Sequence, residues 1–110
     1  MIRLITRGRF NRNYVKGLLA VPEDRTPYMR KVIEAAGGKL VNFYFTTGDS
    51  DFLLVTEANE AESVIAALLA PAAAGMISDV TTSRAWTAEE FKAIADKGSK
   101  VASFYQPPKG

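Results

Sequence analysis

The chain has 110 residues, 47% of them hydrophobic and 24% charged, the make-up of one soluble globular domain and too short for two. It holds no cysteine and no histidine, which excludes a thiol or imidazole nucleophile, a disulfide staple, a zinc finger and an imidazole-ligated haem. The formal charge of +2 is segregated: residues 1–39 carry nine basic and three acidic side chains, whereas Leu40 to Ser83 has six acidic residues and no Lys or Arg. Folding these segments together, or pairing two copies of the chain, neutralises both.

Residues 2–10 alternate, with Leu4, Thr6 and Gly8 on one side and Arg3, Ile5, Arg7 and Arg9 on the other, the period-2 pattern of a strand with one basic face. The start has no apolar core of a secretory leader, so a cytoplasmic location is expected. Tyr14 to Ala20 is expected to form a helical turn opened by Asn13. Asp24 or Thr26 then supplies an N-cap, with Pro27 in the first turn of a helix that runs to Ala36. Its Met29, Val32, Ile33 and Ala36 fall on one stripe, and Gly37-Gly38 stops it.

Leu40 to Thr47 and Phe52 to Glu57 read as two strands joined by the turn Gly48-Asp49-Ser50-Asp51. Asn59 with Glu62 resembles a capping box before a second helix carrying Val64, Ile65, Leu68 and Leu69, which Pro71 should kink or end. The Ala-rich stretch Val64 to Ile77 falls far short of the ~20 apolar residues of a membrane span. Ile77 to Ala85 is a fourth strand; Thr87 with Glu90 caps a third helix, which Gly98 is expected to close. The order βαββαβ with an added C-terminal helix favours an α+β, ferredoxin-like sandwich: four antiparallel strands with both main helices on one face. We expect residues 1–97 to form this single domain and residues 98–110, which hold Val101, Phe104 and Tyr105, to form a docking or disordered tail.

The runs Gly17-Leu18-Leu19, Glu23-Asp24-Arg25, Gly37-Gly38-Lys39, Phe43 to Asp51 and Thr81-Thr82 before Thr87-Ala88-Glu89-Glu90 resemble the GYD domain family over about residues 1–95. The family's Gly-Tyr-Asp signature lies in the hairpin turn; here Gly48, Asp49 and Asp51 stand in it, with Ser50 at the tyrosine's place. The resemblance implies a small protein of the dimeric α+β-barrel type, in a family without an agreed activity.

Three groups of side chains are candidate sites. Arg3 and Arg7 on the basic strand face would bind a small anion in an enclosed cavity, unless Glu57 and Asp79 from neighbouring strands neutralise them. Asp49 and Asp51 offer carboxylates, but a hairpin turn calls for the same residue types, and no metal site is expected. Tyr44 and Trp86 could meet an aromatic ligand or a partner subunit, alternation sending Phe43 and Phe45 to the opposite face from Tyr44. The ligand-binding candidates are therefore Arg3, Arg7, Tyr44, Glu57 and Trp86, with catalytic residues unassigned.

Composition and pattern suggest a non-catalytic ligand-binding or oligomerising module without a cofactor, whose partners are a second copy in a homodimer or higher even assembly and a small anionic or aromatic molecule. The alternative is a cofactor-free isomerase or oxygenase of the dimeric α+β-barrel type, with acid-base work falling to Asp49, Asp51, Glu57 or Tyr44. Nucleic acid is not an expected partner, because the aromatics Phe43 to Phe45 lie in the acidic half of the chain, and neither is a membrane, because the longest apolar stretch is too short to span one.

Overall fold

A computed structural model describes all residues, Met1 to Gly110. Four strands, β1 (Ile2–Phe10), β2 (Lys39–Phe45), β3 (Phe52–Ala58) and β4 (Ile77–Ala85), are interleaved with four helices, α1 (Arg12–Ala20), α2 (Thr26–Ala35), α3 (Ala61–Ala73) and α4 (Ala88–Ala102). All strand pairs are antiparallel and the sheet order is β2-β3-β1-β4. Strands β1 and β3 thus occupy the centre, where both sides of each are hydrogen-bonded. No helix is long and apolar enough to cross a membrane.

Alternation decides which sheet face is covered. Leu4, Thr6 and Gly8 of β1 and Phe52, Leu54, Thr56 and Ala58 of β3 are buried. They meet Ile33 of α2 and Val64, Ala67 and Leu68 of α3, and Leu40 and Ile77 complete the core. Gly8 is buried because the Phe52 ring lies over it: a Cβ at position 8 would come within 2.7 Å of that ring. The opposite face carries Arg3, Ile5, Arg7 and Arg9 of β1, Leu53, Val55 and Glu57 of β3, and Asn42 and Tyr44 of β2, and no helical layer packs on it.

Several local expectations are corrected. The segment after β1 is a complete nine-residue helix starting at Arg12, not a turn from Tyr14. Arg25, and neither Asp24 nor Thr26, is the N-cap of α2, without a side-chain cap bond; the Asp24 Oδ1 accepts instead from the Thr26 amide at 2.9 Å, and bonding to Thr26 holds its carboxyl below the usual pKa. Glu60, with extended backbone and no side-chain bond, caps α3; helix entry one residue later than expected removes Asn59 and Glu62 from capping-box spacing. Pro71 lies inside α3, which ends two residues later at Ala73. Helix α4 runs through Gly98 to Ala102. One glycine costs only about 1 kcal/mol against alanine, and α4 has a complete Thr87–Glu90 capping box and a Lys100–Asp96 pair at 3.2 Å to offset it.

Helix α4 stands apart. The radius of gyration is 18.0 Å and the longest dimension 60 Å, against roughly 13 Å expected for the radius of gyration of a compact domain of this length. No residue of α4 is buried.

Candidate functional site

Two regions present side chains in an arrangement that can bind, one on each side of the sheet. On the open face Ile5 lies directly opposite Val55, and Leu53 sits between Arg7 of β1 and Tyr44 of β2. These apolar side chains form a short central strip flanked by the arginines and by Glu57. Four of the five residues singled out from sequence, Arg3, Arg7, Tyr44 and Glu57, therefore share one face. Trp86 lies instead at the root of α4, edge-on to Phe91 at 6.1 Å and with the Arg84 guanidinium 5.1 Å from its ring centre.

The expected neutralisation of the arginines takes a different form. Arg3 bonds Glu90 of α4 at 2.7 Å, and Glu57, although opposite Arg3 in the register, contributes only as a more distant charge. The same Glu90 oxygen accepts from the Thr87 amide at 2.7 Å, so one carboxylate both caps α4 and ties it to β1. The Thr87 bond and then the Arg3 bond pull the Glu90 pKa down to about 2. Asp79 is not a partner of any arginine. It occupies a bulge in β4 with φ of 52°, the conformation that absorbs the extra residue between the Arg7 and Arg9 pairings, and its carboxylate lies by the Ser78 hydroxyl at 3.4 Å. Arg7 makes no ion pair and borders a shallow 300 Å³ depression with Thr46, Thr47, Asp49 and Ser50.

The turn residues act on the backbone. Gly48 has φ of 93°, as its place in the turn requires. Asp51 Oδ2 accepts from the Phe10 amide at 2.9 Å, and the Asp51 amide donates to the Gly8 carbonyl at 2.8 Å, so this residue extends the β1–β3 ladder beyond its last pair. Thr46 Oγ1 donates to the Ser50 carbonyl at 2.8 Å, a bond that any residue at position 50 can supply. Asp49 contributes its carbonyl to Arg9 at 3.3 Å.

The larger cavity, about 560 Å³, lies on the helical side and contains none of the five candidates. Tyr14, Gly17, Leu18 and Val21 line it from α1 and the residue after it, Glu23 and Arg25 from the following loop, Tyr28, Met29 and Val32 from α2, Phe43 from β2, and Pro71 and Met76 from the far wall. Tyr14 stacks on Phe10, ring centres 4.2 Å apart and nearly parallel, within an aromatic group that includes Phe45 and Phe52. Arg25 bonds Glu23 at 2.8 Å and lies 4.1 Å above the Tyr28 ring. Burial raises the Tyr14 phenol above its usual pKa, with Arg25 opposing. Sequence reasoning missed this cavity because Met29 and Val32 have the spacing of ordinary core residues. The signal that was present is the i, i+3, i+4, i+7 stripe Tyr14, Gly17, Leu18, Val21, legible once the segment is taken as a full helix.

A four-stranded antiparallel sheet in this order, with α2 and α3 on one face, defines a ferredoxin-like α+β domain. The sequence model of the GYD domain matches residues 5–95, and the chain belongs to the GYD domain family. Among solved structures, the crystal structure of MtbAldR is similar with a TM-score of 0.52 and 14% identity, over 78% of this chain and 52% of that one. A protein of Thermus thermophilus, TTHA0845, gives a TM-score of 0.49 and 16% identity, over 80% of this chain and 96% of its own. The chain spans about half the length of MtbAldR, and at that identity the likeness is one of fold. No match to the chain was found among curated proteins.

Proposed function

We propose that this GYD-domain protein is a non-catalytic module that works as an assembly of identical chains, a second copy covering the open sheet face and packing on α4. The observation that carries this reading is α4. Its apolar residues Phe91, Ile94 and Val101, with Gly98 between the last two, fall at alternating steps of three and four, the seam of a helix that packs on another element. Phe91, Ile94 and Val101 are 49, 40 and 57% exposed, so the seam finds no cover in its own chain. A single 15-residue helix is marginal in water without tertiary packing. The strip of Ile5, Leu53 and Val55 on the open sheet face supports the same conclusion, since a sheet buries an apolar face against another layer.

Sedimentation equilibrium at micromolar concentration tests it. The expected mass is twice the 12.0 kDa of the chain or a higher even multiple, with association weakened when the chain is cut before Thr87. A monomer over the whole concentration range defeats the proposal.

A further inference from the structure

We propose that the cavity between α1 and α2 is a binding site for an uncharged aromatic molecule bearing one hydroxyl or carbonyl group, its ring system resting on Met29, Val32 and Phe43 and its oxygen turned toward Tyr14 and Arg25. The cavity lies on the helical side of the sheet, away from the face assigned to assembly, so the two proposals stand or fall separately.

Size and lining give the first argument. About 560 Å³ is within the range of small-molecule sites, which are mostly apolar with a few convergent polar groups. Helix α1 gives the second. Its cavity-facing positions keep strict amphipathic spacing, yet α1 buries no residue, so the stripe faces an opening where a core would normally be. At the middle of that stripe stands Gly17, and a Cβ there would find no heavy atom within 4 Å. Glycine is a poor helix former, and its effect here is to leave the opening clear.

The polar end selects the ligand's chemistry. The charged groups lining the cavity are Glu23 and Arg25, and they form a pair at 2.8 Å. The pair is net neutral, so neither a carboxylate nor an ammonium finds an uncompensated opposite charge there to offset its own desolvation. An uncharged acceptor incurs no such penalty. It can accept from guanidinium N–H groups beyond the one directed at Glu23 and from the hydroxyl of Tyr14, which lies beside Arg25. A flat ring is favoured by walls that already include Tyr14, Tyr28 and Phe43.

Titration of the isotope-labelled protein with 2-naphthol, followed by amide chemical shifts, tests the site, with 2-naphthoate as the charged counterpart. The expected result is saturable shifts concentrated at Tyr14, Val21, Met29 and Val32, and at least tenfold weaker binding of 2-naphthoate. Gly17→Phe places a ring in the opening while improving helix propensity, so it should melt no lower than the parent and weaken 2-naphthol binding at least tenfold. The position of the shifts in the parent protein decides the matter even if that variant folds poorly. Absence of saturation, or shifts centred on Ile5 and Val55, overturns the site, and equal binding of 2-naphthoate overturns the assignment of an uncharged ligand.

Discussion

Replacing Asp51 with alanine probes the link between the hairpin turn and the central strand. The β1–β3 ladder ends at the Gly8–Phe52 pair, and beyond it the Phe10 amide has the Asp51 carboxylate, 2.9 Å away, as acceptor. Alanine removes a charge-assisted bond and strands a partly buried donor, a combination that costs about 1.5–3 kcal/mol. Unfolding entropy near 2.1 cal/mol/K per residue converts each kcal/mol to about 4 °C for a chain of this length, so the melting temperature should fall by roughly 6–12 °C. Asn keeps an oxygen acceptor, and Asp51→Asn should lose less than about 1 kcal/mol. Thermal and urea unfolding followed by circular dichroism, at one fixed protein concentration because association shifts apparent stability, measures both variants. The near-ultraviolet signal is a second readout, since Phe10 anchors the ring group with Tyr14, Phe45 and Phe52. If Asp51→Ala melts within about 1 °C of the parent, a span worth only ~0.25 kcal/mol, the clamp contributes nothing and the reasoning is wrong.

Other expectations concern the turn and the root of α4. Gly48→Val should cost about 1–2 kcal/mol through backbone strain alone, because φ is 93° and a Cβ there meets nothing within 4 Å; Asp49→Asn should be nearly neutral, and equal melting temperatures for the two would contradict the turn assignment. The Glu90 carboxylate, held to about 2 in the folded chain against an ordinary 4.5, contributes stability that is present above the ordinary value and is lost as pH falls through about 2. A carbon-detected titration of its side chain should show a midpoint near 2 that rises in Arg3→Met, and a midpoint at 4.5 in the parent would show that neither Thr87 nor Arg3 holds it.

Alternation was sufficient to read β1 in the sequence, since Arg3, Ile5 and Arg7 separate cleanly from Leu4, Thr6 and Gly8 and the strand ends follow. The ferredoxin-like architecture followed from the order of the elements along the chain. The partners of the arginines did not. Glu90 reaches Arg3 across 87 positions because the β1–β4 register sets Ala85 opposite Arg3 and so starts α4 beside it, and nothing in the local pattern encodes that approach. Asp79 was legible as an acidic residue in a strand, but its bulge depends on how β4 registers against β1. Gly98 was read as a break from residue type alone, whereas its cost is offset by the bonds around it, and Pro71 stands two residues before the end of α3. The cavity was hidden for a related reason: its walls come from several separate segments, and periodicity reports the face of a helix but not whether that face meets a core or an opening.

The central claim is that a second copy covers the open face and α4. An isotope-filtered NOE experiment on a mixture of labelled and unlabelled chains tests it most directly, because only contacts between chains give signals. Contacts are predicted at the methyl groups of Ile5, Leu53 and Val55 and at Phe91 and Ile94 of α4. Interchain signals confined to other surfaces, or none at all at millimolar concentration, would contradict the account.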